Sequence, residues 1–528
     1  MADVHARSLS RNAFYAGALQ FWTIASRFII TPLVIAKLGL AGYGTWTLLF
    51  GICAYVSMFD TSFGFAYSKF TAEYDRRGDY EKLSALIGSG IVLIGSVGVL
   101  GVGCIWIWRY PILHLLSVPA DLIDDASSAL LIVSSCLLLR MSVGSVFQIL
   151  AGLQRIDLQY KLNMLASAIE FGVAFLLLSR GYGLLGLAVG HLCGQVIGTL
   201  GGRVLCWRLC PRLHVSPLWA SRAGCREIAS LGGRFQLLSI LNLMVSQGVR
   251  MLMAALFGVS VLGIYELANK LLTLGKTASG AIIAPLMPAF ANIHAGQDTE
   301  RWHNLYTLSS KLVAACAMVC MGFLFAFADR VLLMWTGQEV PLAAWTIRVA
   351  AGAAVLVLMT GVGTASLRGK GMLRLEMLYA MVGVPATLIL LVVAFLWGGY
   401  RAMVLAVTIG QVFSAAWFLV AFHRSEGLSL LHYVRVTLLR PALIAGSVTL
   451  AAIALRPLAD TMTPPWSGRW GVLFEIAAWG FVFSLVAGLG LWYGTFVDHE
   501  RRRLIGLVLP GQRRVVGPER DRPTMAQL

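Results

Sequence analysis

Long apolar runs recur along almost the entire chain, and they limit the folds open to it. A membrane-spanning helix needs about 20 consecutive apolar residues, because the hydrocarbon core of a bilayer is about 30 Å thick. Hydrophobic residues make up 58% of the chain and charged residues only 13%, whereas soluble domains carry about 25% charged residues. We therefore predict an all-α polytopic membrane protein with about fourteen spans, near 13–38, 42–68, 84–108, 126–150, 163–180, 183–205, 234–257, 260–291, 306–328, 342–366, 375–397, 401–422, 439–457 and 470–494.

The net charge of +17 is explained by the orientation of the chain in the membrane. If the N-terminus is placed in the cytoplasm, the predicted cytoplasmic segments hold roughly four times as many Lys and Arg residues as the opposite side, as the positive-inside rule requires. Both termini are then cytoplasmic. The same distribution removes nucleic acid as a partner, because the basic residues are spread over many short loops.

Two halves of the chain show a weak internal repeat. Gly39, Gly44 and Trp46 follow the first predicted span as Gly258, Gly263 and Tyr265 follow the seventh. An even number of spans in each half implies parallel repeats related by an axis along the membrane normal. The predicted parts are a six-helix lobe (1–205), a basic cytoplasmic linker (206–230), a second six-helix lobe (231–425), an additional helix pair (426–497) and a basic cytoplasmic tail (498–528).

Four arginines lie inside predicted spans, at corresponding helices of the two halves: Arg27, Arg140, Arg250 and Arg348. Ionisable groups in a bilayer are costly and mark a cavity, a partner or a pathway by default. Arg27 and Arg250 belong to polar stripes that include Gln20 and Thr23 in the first span, and Asn242 and Ser246 in the seventh. We therefore predict a cationic cavity between the lobes, lined by the first, second, seventh and eighth spans.

Arginine suits a phosphate ligand because its guanidinium forms forked, bidentate hydrogen bonds. The alternative is that these arginines snorkel to an interface or pair with a buried acid. Lys270 joins the predicted cavity residues, although Glu266 lies four residues before it and favours a local ion pair. Asp60 and Glu170 are buried acids that could either carry a proton or neutralise an arginine. Pro32, inside the first span, is a candidate hinge.

The sequence contains no convincing ATP site, metal cluster or nucleophile–base pair. The nearest approach to a phosphate-binding loop ends at Gly371, where a Ser or Thr would be needed to hold magnesium. We therefore predict a protein that is not an enzyme and needs no cofactor or metal. Its energy would come from an ion gradient or from its substrate.

Several short motifs resemble the polysaccharide and O-antigen flippases over roughly residues 10–425. They are Leu38-Gly39, Tyr43-Gly44 and Trp46, Asp60 with Gly64, Gly152-Leu153-Gln154-Arg155, and Tyr265 with Ala268-Asn269-Lys270-Leu271. The resemblance implies the multidrug/oligosaccharidyl-lipid/polysaccharide (MOP) exporter superfamily, whose members have two six-helix lobes around a central cavity and work by alternating access.

The resemblance also implies a function and a location. Such a chain flips a polyprenyl-pyrophosphate-linked oligosaccharide from the cytoplasmic to the periplasmic leaflet of the bacterial inner membrane. The glycan would serve O-antigen (lipopolysaccharide), capsule or exopolysaccharide synthesis. The implied partners are the lipid-linked oligosaccharide, membrane lipids and other polysaccharide-assembly proteins.

Three alternatives remain open. The additional C-terminal helix pair is similar to that of lipid II flippases, yet the arginine- and aspartate-rich opening of that group is not evident. Multidrug exporters of the superfamily move organic cations, for which four arginines would be an unfavourable lining. Membrane-bound polymerases and ligases usually resemble one another in a large periplasmic loop, whereas the outer loops near 109–125 and 329–341 are short.

Overall fold

Every regular element among the described residues is helical, as the sequence predicts. The computed structural model describes residues 2–143, 146–372, 374–461 and 469–508; some side chains within these ranges, including that of Asn242, lie outside the description. The helices are α1 (Ala2–Arg77), α2 (Tyr80–Leu115), α3 (Ile123–Val143), α4 (Val146–Gly152), α5 (Ile156–Ser179), α6 (Gly183–Leu209), α7 (Arg222–Phe257), α8 (Val259–Ile283), α9 (Leu286–Ala295), α10 (Thr299–Thr336), α11 (Pro341–Gly369), α12 (Arg374–Trp397), α13 (Tyr400–Ser425), α14 (Leu430–Tyr433), α15 (Arg440–Thr461), α16 (Arg469–Thr495) and α17 (Asp498–Val508).

Twelve helical segments of the described chain are long and apolar enough to cross a membrane, so the protein is a multi-pass membrane protein. The difference from about fourteen predicted spans has two sources. The segment Phe14–Asp60 has 47 residues, enough for two crossings of about 20 residues each. The helix α7 is not among the twelve, and many of its side chains lie outside the description.

The helical backbone is interrupted at Gly39 and Gly258, two glycines that occupy equivalent positions in the sequence repeat. Gly39 has φ 68° and ψ −176° inside α1, and Gly258 has φ 83° and ψ 166° at the end of α7. Residues with a Cβ rarely adopt this conformation, which glycine reaches at no steric cost. The two halves therefore break their helices in the same way at equivalent positions. The superposition of the whole lobes stays a prediction.

The next glycine pair brings the two breaks together. A Cβ added at Gly44 would lie 1.8 Å from the backbone oxygen of Val259, and one added at Gly263 would lie 2.5 Å from that of Leu40. The contacts are reciprocal, because Leu40 follows Gly39 as Val259 follows Gly258. We call residues 39–44 and 258–263 the glycine crossing. Only a residue without a side chain permits this approach of backbones.

The described helices form two compact units. The first comprises Met1–Leu274, Ala328–Ala353 and Glu376–Ala415, and the second comprises Gly275–Phe327, Ala354–Leu375 and Ala416–Leu528. In the first unit α1 packs on α5 and α7, α2 packs on α3 and α7, and α6 packs on α3 and α5. This arrangement places α1, α3, α6 and α7 where their polar residues meet.

The second unit has a core of aromatic and ionic contacts. The rings of Trp302 and Tyr306 stack with centroids 5.5 Å apart, and the indole of Trp302 donates a hydrogen bond to Ser366. Near the C-terminus, α17 is fixed by a buried ion pair in which Lys311 Nζ lies 2.8 Å from Glu500 Oε1. The start of the predicted tail is thus part of this unit.

Candidate functional site

The first unit contains a cavity of about 310 Å³ that is lined by two of the residues predicted for the site, Arg140 and Arg250. Its walls come from α1, α3, α6 and α7. They are formed by Phe50, Cys53, Ala54, Ser57, Val133, Cys136, Leu137, Arg140, His191, Gln195, Gln247 and Arg250. Two of the four predicted arginines therefore share one cavity. Its lining residues belong to the second, fourth, sixth and seventh predicted spans, and none of them comes from the first or the eighth span.

Arg140 is held by the predicted acid of the second span. Its Nε atom lies 3.0 Å from Asp60 Oδ2, while the Arg140 side chain is 36% exposed and that of Asp60 is 11% exposed. The Nε–H is not directed at a carboxylate oxygen, so the contact is a close ion pair rather than an aligned hydrogen bond. Asp60 thus neutralises the charge of Arg140 without covering it, and part of the guanidinium remains exposed to the cavity.

Arg250 repeats this arrangement with a different acid. Its Nε atom lies 2.8 Å from Glu266 Oε1, with the arginine 32% exposed and the glutamate 6% exposed. Arg250 also donates to the side-chain oxygen of Gln247 at 3.3 Å. The local spacing of Glu266 and Lys270 had favoured a pair between those two residues. The structure pairs Glu266 with Arg250, because α7 and α8 meet beside the glycine crossing.

Lys270 and Arg27 form a second cationic group beside Glu266. The ammonium of Lys270 donates to Thr31 Oγ1 at 3.1 Å and lies 4.8 Å from the centre of the Tyr43 ring. Arg27 is exposed, and its charge acts on that of Lys270. Among the described residues, no carboxylate forms a salt bridge with Arg27. These two cations are therefore less fully neutralised than Arg140 and Arg250.

The acid of the fifth span also has a partner. Glu170 Oε1 lies 3.0 Å from His191 Nδ1, and His191 lines the cavity together with Gln195, four residues later on α6. His191 is not among the residues that the sequence predicts for the site. Its spacing from Gln195 places both on one helical face, which is the signal in the sequence that could have indicated a role in the cavity.

The remaining predicted residues are distributed as follows. Gln20 and Ser246 are exposed and Thr23 is half-buried, whereas the side chain of Asn242 lies outside the described residues. Arg348 pairs with Asp329 and is not among the residues of this cavity. Pro32 lies within α1, whose backbone departs from helical geometry at Gly39 instead. A role for Pro32 as a hinge stays a prediction.

This geometry favours binding of an anion. Each cavity arginine is positioned by a buried carboxylate and still exposes about a third of its side chain. Guanidinium groups bind phosphate through forked, charge-assisted hydrogen bonds. The amides of Gln195 and Gln247 add neutral donors. The cavity can therefore bind a phosphate group that replaces part of the contact between each arginine and its carboxylate.

Comparison with solved structures shows which known fold the chain has. A multidrug resistance MATE family transporter of the MOP superfamily, in an inward-facing conformation, gives a TM-score of 0.65 at 15% identity and covers 78% of this chain and 94% of its own. The lipid II flippase MurJ, in an inward closed conformation, gives 0.69 at 12% identity and covers 92% and 99%. A MATE transporter from Vibrio cholerae gives 0.53 at 14% identity and covers 80% and 100%. The chain has the fold of the MOP transporters.

A family model matches part of the amino-acid sequence. Residues 112–344 match the model of a family described as polysaccharide biosynthesis protein. No curated protein matches the chain in sequence. The family match over part of the chain agrees with the predicted resemblance to polysaccharide-biosynthesis proteins, and the fold is that of the solved MATE and MurJ structures.

Proposed function

We propose that this chain is a transporter, not an enzyme, that flips a polyprenyl-pyrophosphate-linked oligosaccharide across the bacterial inner membrane during O-antigen, capsule or exopolysaccharide synthesis. The observation that carries the proposal is the cavity in which Arg140 and Arg250, each backed by a buried carboxylate, face one space. Two positioned guanidinium groups suit the two phosphates of a pyrophosphate.

The size of the cavity indicates which part of the substrate enters it. A volume of about 310 Å³ lies at the lower end of the ~300–1,000 Å³ typical of ligand sites. Such a space accommodates the pyrophosphate with its nearest sugar and is too small for a whole oligosaccharide. The rest of the glycan then lies outside this cavity, which explains how one site could serve glycans of different length.

The ion pairs provide a means of coupling binding to a proton. When a phosphate engages Arg140, Asp60 loses part of its counter-charge. Weakening a buried ion pair is costly, so the carboxylate either keeps the arginine or takes up a proton. We propose that Asp60 alternates between these states, with Glu170 beside His191 as the second candidate.

A double replacement separates a proton carrier from a permanent counter-ion. In a counter-ion pair, Asp60→Asn should destabilise the protein, and adding Arg140→Gln should restore its thermal stability, because no lone buried charge remains. In a proton carrier, Asp60→Asn should not be rescued, and transport should lose its dependence on the pH gradient. Full transport by Asp60→Asn with unchanged pH dependence would exclude both roles.

A binding measurement tests the proposed site. The purified chain should bind undecaprenyl pyrophosphate, and Arg140→Gln or Arg250→Gln should weaken binding about tenfold or more, because each removes charge-assisted hydrogen bonds. Arg109→Gln is the control, since Arg109 bonds to Ser127 and does not line the cavity. Equal binding by all four proteins would mean that the cavity arginines are structural.

A lipid II flippase is the second candidate. The MurJ structure covers 92% of this chain, against 78% and 80% for the two MATE structures, as expected if the additional C-terminal helix pair is shared. Lipid II also carries a pyrophosphate-linked saccharide, so the same cavity would serve. Rescue of a strain that lacks its lipid II flippase, without rescue of a strain that lacks a polysaccharide flippase, would favour this candidate.

The proposed orientation places both termini in the cytoplasm. It depends on the distribution of Lys and Arg residues between the predicted loops. Reporter fusions at each end of the chain test it, and a periplasmic location of either terminus would overturn it.

A further inference from the structure

A second cavity of the first unit, of about 360 Å³, lies where α6 ends and the linker to α7 begins. It is lined by Arg203, Trp207, Leu213, His214, Val215, Ser216 and Trp219. None of these seven residues, all within the described part of the chain, is acidic. The surrounding sequence is also strongly basic, with five arginines and no acid between residues 203 and 226.

The linker forms a fixed wall of this cavity because it is bonded to α2. The backbone N–H of His214 donates to Ser84 Oγ at 3.0 Å, and that of Ser221 donates to Ser89 Oγ at 2.8 Å. A Cβ added at Gly88 would lie 2.6 Å from the backbone oxygen of Ser216. The linker backbone therefore packs directly on one face of α2.

The side chains of the linker alternate between buried and more exposed positions. Leu213 and Val215 are buried, whereas His214 is exposed and Ser216 is half-buried. Alternation of this kind is typical of an extended backbone. The imidazole of His214 stacks on the ring of Trp219 at a centroid distance of 4.9 Å and an angle of 3°. The wall thus presents a flat surface with imidazole and indole N–H donors.

The helix α6 contributes Arg203 and Trp207 to the cavity and carries an exposed apolar face beside it. Leu200, Val204 and Trp207 are 52%, 47% and 65% exposed, and their spacing places them on one helical face. They lie in the last part of the candidate span Gly183–Leu209. In a bilayer this apolar face contacts acyl chains, and its end, where Arg203 and Trp207 lie, meets the headgroup layer.

We infer that this cavity binds the phosphate-bearing headgroup of a membrane lipid whose hydrocarbon chains lie along α6. Arg203 binds the phosphate, and the N–H groups of Trp207, His214 and Trp219 surround the polar headgroup. Basic pockets at the membrane surface bind anionic headgroups in this manner. The phosphate belongs either to a phospholipid or to a polyprenyl pyrophosphate. The site is separate from the cavity of Arg140 and Arg250, so the inference goes beyond the proposed transport function.

Native mass spectrometry of the full chain in a neutral detergent tests the site. The probes are phosphatidylglycerol, undecaprenyl pyrophosphate and a diacylglycerol that has no phosphate. Arg203→Gln should weaken binding of the phosphate lipid about tenfold or more. The matched control is Arg208→Gln, which removes the same charge from an exposed arginine of α6 outside the cavity, and it should change binding less than about twofold. Trp219→Ala is a second variant at an exposed position.

The outcomes distinguish the two lipid sources. Binding of phosphatidylglycerol that depends on Arg203 assigns a phospholipid site, and Arg203-dependent binding of undecaprenyl pyrophosphate alone assigns the transported carrier. Binding that is lost in Arg250→Gln and kept in Arg203→Gln would overturn the inference, because the lipid would then occupy the other cavity. The inference is overturned if neither phosphate lipid binds, if diacylglycerol binds equally well, or if Arg203→Gln and Arg208→Gln behave alike.

Discussion

The two halves of the glycine crossing share their backbone and differ in their charges. Gly39 and Gly44 match Gly258 and Gly263 at an offset of 219 residues, whereas Arg27 matches Arg250 at an offset of 223. The offsets differ by four residues, about one helical turn, so the two arginines share a face but differ in depth by about 6 Å. At the offset of the glycines, the counterpart of Arg250 is Thr31, which accepts a hydrogen bond from Lys270.

The difference shows which features the repeat preserves. The backbone contacts of the crossing admit no side chain, so both halves need glycine at the same places. The arginines need only a polar face of a helix, so their position along the helix and their ion-pair partners differ between the two halves. Arg250 is held by Glu266 at 2.8 Å, while Arg27 has no such acid among the described residues. We expect Arg250 to be important for both stability and binding, and Arg27 for binding alone.

The largest effect should come from filling the crossing. Gly44→Ala places a methyl group 1.8 Å from the backbone oxygen of Val259, and backbone cannot yield as a flexible side chain does. We expect a loss of more than about 3 kcal/mol, seen as little folded protein in a thermal-stability assay in detergent. Gly263→Ala, at 2.5 Å from the Leu40 oxygen, should follow closely.

The matched control for these variants is Gly248→Ala on α7. No atom lies within 4 Å of the added Cβ at this position, and alanine is the better helix former by about 1 kcal/mol. Its stability should equal or exceed that of the wild type. Gly44→Ala protein as stable as Gly248→Ala protein would contradict the described approach of the two backbones.

The next largest effect should come from the ion pair of Arg250 with Glu266, which has no counterpart at Arg27 among the described residues. Glu266→Gln removes the carboxylate that neutralises Arg250. Because the Arg250 side chain is 32% exposed, the loss should be about 2–3 kcal/mol, less than for a fully buried pair. The double variant Glu266→Gln with Arg250→Gln should regain most of that stability while binding no pyrophosphate. Thermal unfolding of the two variants in detergent measures the difference. A double variant no more stable than Glu266→Gln alone would show that the pair is not coupled.

The sequence predicted the components of the site better than their pairing. Hydropathy placed Arg140, Arg250 and Asp60 inside spans, because a charge stands out in an apolar run. It did not predict that Asp60 pairs with Arg140, since the partners lie on different helices and their register depends on packing. The local spacing of Glu266 and Lys270 did not predict the ion pair of Glu266 with Arg250 for the same reason. The glycine positions were predictable because their spacing repeats and their conformation excludes other residues.

The smallest effect on stability is expected at Arg27. Its side chain is exposed, so Arg27→Gln should change the free energy of unfolding by less than about 0.5 kcal/mol. Glycan export should nevertheless fall, with partial recovery in Arg27→Lys, because lysine keeps the charge and loses the fork. Export measured at matched protein abundance checks this. A destabilisation as large as that of Glu266→Gln would mean that Arg27 has a structural partner.

Flipping measured in proteoliposomes tests the central claim most directly. The purified chain is reconstituted with a fluorescent undecaprenyl-pyrophosphate-linked oligosaccharide, and a reagent that cannot cross the bilayer reports the outer leaflet. The wild type should accelerate exchange between leaflets, and Arg140→Gln with Asp60→Asn, a neutral pair that leaves no lone charge, should reduce it to the rate of empty liposomes. Flipping by this double variant at the wild-type rate, or no acceleration by the wild type, would contradict the proposed function.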